Sequence, residues 1–270
     1  MSRPLRLCKL IVLLLSILLT PLTAYEKPSN VSERIWKETS PYFLPEDNPA
    51  SSILLKIFQK KRATLNSEAL KKAGFTSIKT QPYTKVTTAT HPTMPTLFFK
   101  LYFDSQKQIK KREDHVHWLA RIRGAELIGA VIHEMKWDDS FKVPRKWIFP
   151  LPKEPAPPSI FGAVRFILVE ENMKILSEDE NLAAWKGPLV TEKLLDRLYF
   201  LVSKLGLSDC LVPHNIPFSY DNKVAFIDTE IYMSFHILYK SFARYLSPEM
   251  AAYWESLDSK KVSQNQNLKF

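Results

Sequence analysis

Residues 209–230 read DCLVPHNIPFSYDNKVAFIDTE. Two short apolar runs, 216–219 and 224–227, flank a Tyr-Asp-Asn-Lys turn, which predicts a pair of short strands. Asn215 precedes the first run, and Asp228 follows the second, thirteen residues further on. An Asp before Thr229 is a common way to open a turn or cap a helix.

Working outward, residues 191–205 have helical spacing, opening on Thr-Glu and closing at Gly206. Residues 231–257 read as helical and aromatic, with Tyr232, Phe235, Tyr239, Phe242 and Tyr245 spaced near three and four, the pattern of a core-facing stripe. Toward the N-terminus the period changes. Runs at 76–78, 85–89, 97–103, 146–151 and 164–169 read as strands, and 114–135 reads as a helix between the third and fourth. A proline-rich loop parts the last two strands. The expected class is α+β: a helical N-terminal extension over 25–74, a β-rich half over 75–171, a helical half over 172–258 and a polar tail over 259–270.

Composition narrows the chemistry. The chain has 45% hydrophobic and 24% charged residues in 270, an ordinary globular balance. Only 6 are glycine, and no Walker A loop, GxGxxG fingerprint or GxSxG elbow is present. Residues 1–24 carry Arg3, Arg6 and Lys9 before an apolar stretch over 10–19, which predicts a secretory signal peptide cut after Ala24 and an exported, secreted or periplasmic protein. The net charge of +10 would fall to +7 after that cut, because three basic residues and no acidic ones are lost. Basic runs at 60–62 and 107–112 read as solvated faces. Contact with a membrane through those runs or through an uncleaved N-terminal segment is the alternative, and nucleic acid is not an expected partner. Cys210 would be the single cysteine left, so no intrachain disulfide is expected.

A lysine inside the third strand (Lys100), an acid on the following helix (Glu126) and the 209–230 loop occur in an order that resembles the protein-kinase-like superfamily. The likeness is nearest to its small-molecule branch, the aminoglycoside phosphotransferase and lipopolysaccharide kinase types, and covers about residues 75–250. FIDTE is similar to the Ile-Asp-Trp-Glu of that branch, and the family's Asp-x4-Asn loop and later metal-binding Asp match Asn215 and Asp228. The resemblance implies a two-lobed fold with a cleft that takes ATP and Mg²⁺. Lys100 would neutralise phosphate oxygens, with Glu126 directing it and Glu113 a rival for that role. Residues 166–175, with Glu170, would form the hinge beside the nucleotide, Asn215 and Asp228 would hold Mg²⁺, and Asp209 would be the catalytic group that positions an acceptor hydroxyl.

Three departures accompany these matches. Counting back from Asn215, the base position falls on Cys210, with Asp209 one residue earlier; the turn near Gln81-Pro82 has no glycine; and 42 residues follow Asp228, which shortens the C-terminal lobe. Three function classes therefore follow: an ATP- and Mg²⁺-dependent phosphotransferase acting on a hydroxyl of a small molecule or protein, a catalytically inactive kinase-like binding module, and a basic surface-binding protein without nucleotide function. His115 and His117 stand two apart on the predicted helix, point to different faces and read as structural.

Overall fold

A computed structural model describes residues 25–107, 113–158, 161 and 163–267. The predicted signal peptide, most of the 107–112 basic run and the last residues of the polar tail lie outside the described residues. The N-terminal part forms α1 (Glu33–Thr39), α2 (Pro49–Lys60) and α3 (Ser67–Lys72). The strands are β1 (Thr76–Thr80), β2 (Thr87–Thr90) and β3 (Leu97–Leu101), then, after α4 (Asp114–Glu134), β4 (Phe141–Lys142), β5 (Lys146–Pro150) and β6 (Phe166–Glu171). Next come α5 (Glu178–Lys186), α6 (Glu192–Leu205), β7 (Val224–Ala225), a 3₁₀ turn (Tyr239–Tyr245) and α7 (Pro248–Asn267). The protein is mixed α and β, as its sequence periods predict.

Five strands make one antiparallel sheet in the order β1-β2-β3-β6-β5. Strand side chains alternate between faces. One face carries Phe99, Val169 and Phe149, and Phe75, just before β1, and Phe58 of α2 meet Phe99 and Phe149 with ring centroids 5.2 and 5.8 Å apart. Residues 25–74 therefore share a single cluster of buried apolar side chains with the sheet. Phe43 pairs with Ile148 and the Leu44 amide donates to the Ile148 carbonyl (2.9 Å), covering the free edge of β5.

The other face receives α4, whose Trp118 indole donates to the Phe166 carbonyl (3.2 Å). This helix belongs to two cores. Trp118, Leu119 and Ile122 enter the sheet cluster, whereas Ile128, Val131 and Ile132 enter a second cluster with Leu198, Leu201, Phe226 and Trp254. Two buried carboxylates fix the chain around it. Asp114 accepts the backbone amides of Arg165 (2.7 Å) and Phe166 (2.9 Å). Asp104 takes a bidentate contact from Arg62 (3.0 Å each), the Thr64 hydroxyl (2.7 Å) and the Val164 amide (2.7 Å). The proline-rich loop is thus pinned where it re-enters the sheet.

Two sequence expectations are corrected. The predicted strand pair 216–219 and 224–227 reduces to the bridge Phe218↔Val224, while β7 pairs in parallel with β4. Pro217 has no amide to give a ladder, and Ser219 closes the turn by donating to the Lys223 carbonyl. Residues 231–238 are not helical. The Met233 and Ser234 amides donate to the Leu205 and Gly206 carbonyls, and Met233 is left-handed (φ 56°), so no helix can propagate through them. The α-helix starts only at Pro248, a residue preorganised for a first turn. Phe242 is buried as the aromatic spacing predicts, but Phe235 is exposed.

Asp104→Ala should lower unfolding stability by about 3–5 kcal/mol, because it strands the Arg62 guanidinium in the interior. A urea denaturation midpoint reads this directly, and a loss under about 1 kcal/mol would show that the Asp104 junction does not hold the loop.

Candidate functional site

Strand register places three charges on one face of the sheet. Lys146 lies directly across from Glu170, and Lys100 lies across from Leu168, one pleat away from Glu170. Lys100 Nζ and Lys146 Nζ each approach the Glu170 carboxylate at 3.1 Å. Both ammonium groups also donate to one acceptor, the Ile227 carbonyl, at 2.9 and 3.0 Å. All three side chains are buried. Burial brings the Lys146 ammonium down to about 8, with Lys100 adding to the fall and Glu170 opposing it. Burial alone would raise Glu170, but the two ammonium groups outweigh it and hold the carboxyl below its ordinary value.

The next three residues are held as firmly by α4. Arg121 forks between Asp228 and Glu230, the latter at 2.7 Å. The ring of His117, one turn earlier, meets Glu230 at 2.8 Å. The Thr229 hydroxyl donates to the Arg121 carbonyl. Gly124 makes this approach possible, since a Cβ there would lie 1.9 Å from the Thr229 carbonyl oxygen. Burial opposes ionisation of Asp228, yet Arg121, Lys100 and Lys146 together keep its carboxyl below the usual carboxylate range.

The 209–215 loop closes the other side. The Ile227 amide donates to the Asn215 carbonyl (3.1 Å), and the Asn215 side-chain amide donates to the Asp209 carbonyl (2.7 Å). No protein-family model matches the chain, and no curated protein matches it. The geometry itself separates the two residues that compete for the base position. Cys210 is fully buried in the helical core, where its thiol contacts the Asp228 carbonyl at 3.6 Å. Asp209 is half-buried, and burial first, then the Asp228 charge, raises its carboxyl to about 7.

Of the residues read from the sequence, Lys100, Glu170, Asp209, Asn215 and Asp228 come together around 227–228. Glu126 does not take the expected place beside Lys100. It is exposed on α4 and lines a cavity of about 350 Å³ with Tyr42, Arg145 and Trp147. Glu113 is no substitute, because its carboxylate pairs with Arg165 (3.1 Å). Glu170, across the sheet on β6, is the carboxylate that pairs with Lys100 where Glu126 was expected. Arg121, Lys146 and Glu230 were missed. Their signal was an arginine inside the apolar stripe Trp118-Ile122-Ala125 and a lysine opening a buried strand.

Of the two expected Mg²⁺ ligands, Asp228 already has a protein cation beside it as these side chains stand. Asp228 meets a guanidinium through one carboxylate oxygen where the resemblance implies a divalent cation, while the Asn215 side-chain NH2 donates to the Asp209 carbonyl, a bond that does not involve the amide oxygen. Among the described residues no three His, Cys, Asp or Glu side chains converge as metal ligands. Lys100, Lys146 and Arg121 already face Glu170, Asp228 and Glu230, so the centre carries little uncompensated charge of either sign.

Asp209 has a pH signature. Its folded value of about 7 lies above the ordinary 3.8, so the folded state holds a proton that the unfolded chain releases. The wild type should therefore lose stability relative to Asp209→Asn as pH rises from about 4 to about 7. Denaturation at pH 4 and pH 8 checks this: the Asn variant should be the more stable at pH 8 and equal at pH 4, and a constant difference would place the Asp209 carboxyl in solvent.

Proposed function

We propose that the chain is a kinase-like binding module, in which the charged centre ties the sheet to the helical half instead of carrying nucleotide. A two-lobed kinase-like arrangement is consistent with the antiparallel order β1-β2-β3-β6-β5, the helix inserted after β3 and the Lys100-to-Asp228 convergence. One observation carries the non-catalytic part. Arg121 engages Asp228 and Glu230 together, so a protein cation already sits on the carboxylate that a metal–phosphate complex would need. The glycine-free turn between β1 and β2 agrees with it, since a side chain at every position keeps backbone amides away from a phosphate. Export through residues 1–24 belongs to this reading.

A phosphotransferase is the second reading, and Asp209 favours it. A carboxyl that titrates near neutral pH beside Asp228 has the property wanted of a group that orients and deprotonates an acceptor hydroxyl. In that case Lys100 would turn from Glu170 to a phosphate.

A thermal-shift titration of the full chain with ATP and Mg²⁺ separates the two. Ligand at a hundred times its Kd would add about 2.7 kcal/mol and raise the midpoint by several degrees. The binding-module reading expects no shift at millimolar nucleotide. A shift, together with phosphoryl transfer from ATP that Asp209→Asn abolishes while binding survives, would assign the chain to the phosphotransferases.

A further inference from the structure

The segment after Glu230 departs most from the expected core. Exposed and inward positions alternate along it: Ile231, Met233 and Phe235 point out, whereas Tyr232 packs against the helical core. Met233 is 75%, Phe235 98% and Leu238 73% exposed. The main chain beneath them is held. Met233 and Ser234 donate to the carbonyls that end α6 (2.7 and 3.0 Å), the His236 amide donates to the Ser234 hydroxyl (3.2 Å), and Tyr239 bonds Ser203 (2.8 Å). The apolar side chains therefore stand out from a fixed strap.

We propose that this strap docks on an anionic lipid bilayer, with Met233, Phe235 and Leu238 entering the acyl boundary. Two features favour a bilayer over a protein groove. The apolar groups project as separate knobs, which hydrocarbon accepts without shape complementarity. In addition, no Asp or Glu occurs from residue 231 to 248, while His236, Lys240 and Arg244 do. Lys240 shares a small cavity with Glu255 and Asp258, so Arg244 and the net positive charge of the chain, which stays positive after the predicted cut, supply the outward positive field. Apolar insertion is thus the main term, and anionic headgroups strengthen it. The inference is independent of whether the cleft takes nucleotide.

The test uses the full chain carrying Phe235→Trp, a change at a position 98% exposed, with vesicles of phosphatidylcholine and phosphatidylserine whose acyl chains are brominated. The added tryptophan should be quenched well beyond the wild-type background, and more so with phosphatidylserine than with phosphatidylcholine alone. Adding Met233→Ser and Leu238→Ser should raise the vesicle concentration for half-maximal quenching at least about tenfold. An added tryptophan that stays unquenched on vesicles that retain the protein overturns the proposal, since residue 235 would then lie outside the bilayer. So does a dimer in solution that Phe235→Ser dissolves without any lipid quenching, which would make the occupant a second copy.

Discussion

A guanidinium buried between Asp228 and Glu230 is the constraint on which the rest of the structure depends. Removing a charge from water costs several kcal/mol, and the cost is tolerable only where opposite charges meet it at short range. Arg121 satisfies this by fixing α4 against residues 228–230. The same four-residue segment gives its Ile227 carbonyl to two sheet lysines, so the sheet, α4 and the loop after α6 are fastened at one point. A change in the position of α4 would move all of these contacts together, and Gly124 marks how little space the junction leaves.

The same pairing sets the surroundings of the residues that carry the kinase-like resemblance. Lys100 and Asp228 stand in the order that the resemblance implies, and each meets a protein partner, Glu170 and Arg121 respectively. Glu170 serves two ammonium groups, and Arg121 serves two carboxylates. The result is a charge-balanced interior, whereas the apolar strap that follows Glu230 is directed outward.

Much of this was legible in the sequence, for identifiable reasons. Apolar runs and helical spacing located β3, α4, β5, β6 and α6 closely, because the strands are buried along nearly their whole length and α6 buries one apolar stripe. The Asn215 and Asp228 spacing drew attention to the loop that does organise the centre. Partner choice was not legible. Whether Lys100 meets Glu126 or Glu170 depends on the β3–β6 and β5–β6 registers, and Arg121, a charge inside an apolar helix stripe, does not name its carboxylates until its neighbours are placed. The strap was misread because aromatic spacing near three and four describes a helix only when the backbone amides are free to make one, and those of Met233 and Ser234 are already committed to α6.

The most direct test of this account is a double-mutant cycle between Arg121→Met and Asp228→Asn, read by urea denaturation without metal or nucleotide. Two residues that form a buried ion pair should be coupled, so the double variant should be more stable than the sum of the single losses predicts, by about 1.5–3 kcal/mol. Additive losses within about 0.5 kcal/mol would contradict the account, because they would mean that Asp228 is not held by Arg121 and remains free for another cation.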